Sequence, residues 1–458
     1  MIAIVFITVL VLASVAFLMG RRRAIVLAAG QPAKLHSRPN YHGMYCFLMV
    51  LLVGWGLLLV VGVGAEIAID RMLETQVSVA RPEASSVERQ LIISDARALA
   101  TGALASADDS LRQSVSERFA RFVMWRNWAI SLLVLGGALV AAALCLRRIS
   151  VSFRARNRAE SMLRKMLAAM ALIAVLTTVG IVLSLVFETF GFFRDIGWRV
   201  DKFLFGLNWS PLSGVMDGQL DPDRVGAVPL FAGTFLITLI AMFVAVPVGL
   251  FAAIYLSDFA SSRARAIVKP MLELLAGIPT VVYGFFAALT VAPALRNTGE
   301  TLGLTVASES ALVAGVVMGI MIIPFISSLS DDVINAVPQA LRDGSYGLGA
   351  TRAETIRQVV LPAALPGIVS AVLLGMSRAI GETMIVVMAA GQGPNLTANP
   401  LAAVTTVTVQ IVSLITGDTE ASTAAGPAFA LGFTLFCITL LMNVFAQKIV
   451  HRFREAYD

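Results

Sequence analysis

The chain has 458 residues, of which 58% are hydrophobic and only 14% charged, and its mean hydropathy is +0.83. A soluble globular domain carries about 25% charged residues, so this composition excludes a fold solvated by water alone and predicts an all-α integral membrane protein. The net charge of +6 does not mark a nucleic-acid binder, because its Arg and Lys residues stand between apolar runs, as cytoplasmic loops of membrane proteins do.

Spans of about 20 mostly apolar residues are expected wherever the chain crosses a bilayer. In chain order they are Ile2–Gly20, Met44–Ala65, Asn127–Leu146, Met166–Phe190, Leu230–Leu256, Leu272–Val291, Ser310–Ser330, Leu365–Gly391 and Ala428–Ala446, nine in all. The first resembles a signal peptide, but Arg21, Arg22 and Arg23 follow the apolar run instead of preceding it, so it reads as an anchor with its N-terminus outside. The loop after it also carries Lys34 and Arg38, and Arg147–Lys165 carries seven basic residues against Glu160 alone. Both loops are therefore expected in the cytoplasm. Nine spans then put the C-terminus, with Lys448, Arg452 and Arg454, on the same side, while Asp418 and Glu420 fall outside.

Two parts are expected. Residues 1–165 form an extension of three spans, with a periplasmic stretch at about 66–126 and helix from about Ser86 to Arg121. Residues 166–458 hold the other six spans. After the fourth span, Phe192, Phe193, Ile196, Val200, Phe203 and Leu204 suggest an amphipathic interfacial helix, with Trp198 and Trp209 in the aromatic belt. Pro247, Pro279 and Pro324 are expected to kink spans or free carbonyls. Cys46, Cys145 and Cys437 read as small apolar residues without a disulfide framework. His36, His42 and His451 lie in short basic loops, and no metal site is expected.

The most informative loop is about 331–366, DDVINAVPQALRDGSYGLGATRAETIRQVVLPAALP. Val337-Pro338 opens a helix. Gly347 and Gly349 break it, and Thr351 with Glu354 three residues on predicts a capping box for a second helix, which Pro362 and Pro366 are expected to end. In the next span, Arg378 and Glu382 sit near the middle of a membrane helix, where a charge is costly and marks function by default. Their i, i+4 spacing predicts pairing on one face. The guanidinium is then a candidate oxyanion contact, with buried packing as the competing role.

Here the chain resembles a known family. Gly349, nine residues, then Val359-Val360-Leu361-Pro362 is similar to the EAA loop of ABC importer permeases. The acidic triplet of that pattern stands here as Asp343-Gly344-Ser345. Arg378–Met384, Asn399-Pro400-Leu401 and Leu272–Pro293 resemble phosphate ABC transporter permeases, the PstC type more than its PstA-type partner.

The resemblance implies a six-helix type I importer core, roughly Met166 to Arg454, and carries nothing to the first three spans. It implies ATPase coupling through Asp343, Gly349, Thr351, Glu354, Leu361 and Pro362, and a substrate pathway at Arg378, Glu382 and Thr383. The implied partners are an ABC ATPase dimer, a second PstA-like permease and a periplasmic phosphate-binding protein. No GxxxxGK[ST] loop occurs in the chain, so ATP and magnesium are expected on the ATPase and no catalysis is expected here. The competing readings are an importer of another oxyanion or polar solute, and, from a different class, a secondary transporter or membrane sensor.

Overall fold

The computed structural model describes residues 2–29, 31–83, 86–100, 110–211, 213, 220–417 and 421–454. Asp418 and Glu420, and the side chain of His451, lie outside them. The described residues are helical, apart from loops and a single bridge between Trp209 and Val225, as a chain must be whose backbone groups find no water in lipid. Among them, eight helices are long and apolar enough to cross a membrane, and nine if one sharply bent pair counts as a single span. The chain divides into two compact units, residues 1–177 and 178–458.

The first unit contains α1 (Ile2–Leu27), α2 (Pro39–Ala80), α3 (Ser86–Ala100), α4 (Ser110–Arg148) and the start of α5 (Ala155–Asp195). The 42 residues of α2 make a rod of roughly 60 Å, twice the hydrocarbon core, so its charged end projects beyond the membrane. There Ile69, Leu73 and Val77 pack with Ile92 and Ala96 of α3 and Val115 of α4. The helix expected over 86–121 is thus two helices packed on each other, and residues 101–109 lie outside those described. Glu66 pairs with Arg126, and Arg112 with Asp95 at 3.1 Å. Where α2 meets α4, Cys46 and Cys145 are buried in the same apolar cluster, although the two residues are far apart in sequence. His42 is not in a loop: it is fully buried within α2, with neither ring nitrogen hydrogen-bonded.

The second unit is built on α7 (Val228–Ile254) and α11 (Ala311–Ala336), its most extensively packed pair. Their approach depends on small residues. A Cβ on Gly319 would sit 2.8 Å from the Ala241 carbonyl oxygen and 2.9 Å from Val244 Cβ. Around them stand α14 (Leu361–Ile380) and α17 (Ala421–Arg454), with the short α16 (Val407–Thr416). The lipid-exposed apolar residues of α5, such as Ile173 and Phe187, fit a helix whose solvent is hydrocarbon.

Two expected elements are broken, the second of them at Pro279, where a kink was expected. The interfacial helix predicted from Phe192 is interrupted where Gly197 and Trp198 take positive φ, before α6 (Val200–Phe205). Trp209 is no belt residue: it is buried and donates its indole N–H to Gln410 Oε1 at 3.0 Å. The sixth span is two helices, α8 (Ser262–Ala276) and α9 (Thr280–Phe286, continuing through a π turn into α10, Ala292–Thr301), bent by 87°. Pro279 has no N–H and disfavours helix at Ile278, and Tyr283 Oη donates to the Leu275 carbonyl across the break at 2.9 Å. Pro247 and Pro324, by contrast, lie inside continuous helices.

Candidate functional site

The loop between α11 and α14 contains α12 (Gln339–Gly347) and α13 (Arg352–Thr355). The turn between them is set by Gly349, whose φ is +87°, a conformation costly to any residue with a Cβ. The Gly349 N–H donates to the Tyr346 carbonyl at 2.9 Å. The capping box forms: Glu354 N–H donates to Thr351 Oγ1 at 3.4 Å, and Thr351 N–H to Glu354 Oε2 at 2.8 Å. Leu341 and Tyr346 of α12 and Leu348 just past its end are exposed, the last at 92%, so the loop presents apolar side chains outward. Asp343 lies on the exposed side and receives the Gln339 amide at 3.1 Å.

Pro362 and Pro366 do not end the second helix. A π turn over Ile356–Val360 leads straight into α14, which carries Pro362 near its start and Pro366 in its interior. The loop and the α14 span are thus mechanically one piece. Sequence reasoning missed Arg342. It is buried on α12, pairs with buried Asp258 on the π turn after α7, and donates through Nη2 to the Ile334 carbonyl at 2.9 Å. A span of 84 residues separates the pair, and no local pattern signals such a contact.

The span bearing Arg378 also departs from expectation. The helix stops at Ile380, and Gly381, Glu382 and Thr383 form a break before α15 (Met384–Ala389). The expected Arg378–Glu382 pair is therefore absent. Glu382 turns instead to the next helix, its Oε1 accepting the N–H groups of Met384 at 3.1 Å and Ile385 at 3.4 Å. Its carbonyl accepts the Thr408 hydroxyl at 2.9 Å. Thr383 is half-buried and donates its hydroxyl weakly to the Gly381 carbonyl at 3.4 Å.

Arg378 is exposed on the last turn of α14. Its guanidinium lies 5.9 Å from the Phe325 ring centroid, close enough for a cation–π contact. No carboxylate among the described residues pairs with it. Beyond α15, the Asn399-Pro400-Leu401 segment is a structural cap: the Leu312 N–H donates to the Pro400 carbonyl at 2.8 Å and Ala311 N–H to the Ala402 carbonyl at 3.1 Å. It thereby satisfies donors that the start of α11 would otherwise leave orphaned. The 337–360 loop and the Arg378 break lie at opposite ends of one helix, α14, and do not share a pocket among the described residues.

Comparison with known proteins gives the family. A family described as "Binding-protein-dependent transport system inner membrane component" matches residues 245–455. A second, described as "Phosphate ATP-binding cassette transporter", matches residues 6–177, so the extension that the sequence left unassigned is itself a recognisable unit. The chain is 35% identical over 307 residues to the phosphate transport system permease protein PstC 1 of Mycobacterium tuberculosis, covering 62% of this chain and 90% of that one. It is 30% identical to PstC of Haemophilus influenzae, covering 65% and 94%. A crystal structure of a bacterial alginate ABC transporter superposes with a TM-score of 0.46 at 15% identity, covering 64% of this chain and 97% of that chain. The chain belongs to the PstC family, the multi-pass inner-membrane permeases of binding-protein-dependent ABC importers.

Proposed function

We propose that this chain forms one half of the path along which inorganic phosphate enters a bacterial cell, driven by ATP hydrolysis on partner chains. The observation that carries the reading is Arg378. A permanently charged, planar guanidinium with five N–H donors suits a tetrahedral oxyanion, and here it is held without a carboxylate at a break in a membrane span. Glu382, committed to capping α15, does not compete with the anion for it, and the Thr383 hydroxyl stands beside it in the same break. The names of the relatives support phosphate over other oxyanions.

In this reading the N-terminus lies in the periplasm. The loop 343–362 and the C-terminus lie in the cytoplasm, as the arginines of 21–23 and 147–158 favour. An ABC ATPase dimer, binding ATP and magnesium, receives α12 with its exposed Leu341, and Leu348 just past its end. A PstA-like permease completes the path, since this chain offers a single such loop, and a periplasmic binding protein delivers phosphate. Because the chain performs no chemistry, Asp343, Gly349, Thr351, Glu354, Leu361 and Pro362 act by shape: they fix where α12 points and join it rigidly to α14.

The test is uptake of radiolabelled phosphate by cells that lack every other phosphate importer. Expressed with its partners, the chain supports uptake that excess sulfate does not suppress. Suppression by sulfate, or uptake that survives deletion of the ATPase, would refute the reading in favour of another oxyanion or a secondary carrier.

A further inference from the structure

On the loop side of the second unit, α7, α8, α11 and α12 are joined by a line of polar contacts, buried at Arg342, Asp258 and Asp331 and open to solvent at Asn335. On α12, Arg342 meets Asp258 and the Ile334 carbonyl. Beside Asp258, the Ser257 hydroxyl donates to Asn335 Oδ1 at 3.2 Å. The Asn335 amide donates to Asp331 Oδ1 at 2.8 Å. Asp331, 1% exposed on α11, then receives Arg265 at 3.1 Å and Lys269 at 2.8 Å, both from α8. The line therefore runs from the coupling helix, through the ends of α7 and α11, to the helix that precedes the 87° break. Past that break α9 packs on α15, where a Cβ on Gly284 would lie 3.1 Å from the Met384 carbonyl oxygen. Met384 is the residue whose N–H Glu382 caps.

We propose that this line is the transmission element of the permease: Arg342 and Asp258 are positioning residues that pass displacement of α12 to α7, α11 and α8, and so to the broken segments beside Arg378. The inference rests on the coupling role assigned to the loop and names how its motion enters the membrane. Two features favour transmission over packing alone. Hydrophobic contacts slide, whereas a buried charge pair resists separation because each partner would be stranded. The pair is also held at one carboxylate oxygen, since Asp258 Oδ2 has no hydrogen-bond partner, which lets the contact swivel while it transmits. Against the cleft of about 680 Å³ beside it, lined by Ser257, Asn335, Tyr346 and Arg352, α12 has room to move.

The test uses the full complex, with its ATPase, second permease and binding protein, in liposomes. The readout is the ratio of ATPase rates with and without phosphate-loaded binding protein. Arg342→Met and Asp258→Asn are combined in one chain so that no buried charge is stranded, and assembly is checked by co-purification. The double variant is expected to assemble while the stimulation ratio falls about 5-fold or more, a common coupling size. Asn335→Ala alone should lower the ratio, and added to the double variant should lower it no further, as links in series do. Parental stimulation in an assembled double variant, with Gly349→Pro uncoupled, would overturn the transmission line and leave the loop assignment standing. Normal coupling in Gly349→Pro would remove the loop assignment and the transmission line with it. A double variant that fails to assemble would make the pair a folding device and also overturn the proposal.

Discussion

Replacing Gly349 isolates the backbone of the coupling turn from its packing. Its φ is +87°, and a Cβ built there meets nothing within 4 Å, so any cost comes from the main chain. Alanine in the left-handed region costs roughly 1–2 kcal/mol, which shifts a two-state turn by about tenfold. Proline is far worse: its ring holds φ near about −65°, incompatible with the turn. It also deletes the N–H that donates to the Tyr346 carbonyl at 2.9 Å, a net loss of about 1 kcal/mol. The capping box at Thr351 and Glu354 would survive as a local helix start, but α12 would no longer be aimed by it. Gly349→Pro should therefore insert and co-purify with its partners, yet lose binding-protein-stimulated ATPase activity in liposomes, with Gly349→Ala intermediate. Gly347→Ala, at an open position without positive φ, should stay coupled. Normal stimulation in Gly349→Pro would refute the reasoning.

Two further outcomes are expected. In a chain freed of its own cysteines, a cysteine at Val79, 75% exposed on the projecting end of α2, should react with an impermeant thiol reagent from the periplasm; one at exposed Ser150 should not, and reversed labelling would invert the assigned orientation. Gly319→Val should drive a side chain into Ala241 and Val244 on α7, an overpacking cost of about 1–3 kcal/mol, read as a lowered melting temperature of the detergent-solubilised complex; an unchanged melting temperature would contradict the close α7–α11 crossing.

What was legible in the sequence was what apolar content and local chemistry determine. Runs of apolar residues located the spans, and Thr351 with Glu354 gave a cap that forms as expected. The failures occur where a helix breaks without a change in hydropathy. Leu272–Val291 is uniformly apolar, yet Gly277-Ile278-Pro279 turns it by 87°. The kink expected at Pro279 is there, but uniform hydropathy gave no sign that the bend would reach 87°. At Gly381-Glu382-Thr383 the cue is weaker, and the i, i+4 rule was applied to a helix that had already ended. Long-range polar pairs left no trace: Asp258 and Arg342, or Asp331 and Lys269, become partners only when α7, α8, α11 and α12 converge. The burial of His42 inside α2 was equally hidden, because apolar windows do not report which face of a helix another helix will cover.

The central claim is that Arg378 meets the anion, and its most direct measurement is phosphate uptake by Arg378→Gln at matched membrane levels. The amide lacks both the charge and the guanidinium fork, so uptake should be abolished. Because Glu382 caps α15 and does not pair with Arg378, adding Glu382→Gln should restore nothing. Near-normal uptake by Arg378→Gln, or recovery of uptake in the double variant, would contradict the account and return the two residues to a role in helix packing.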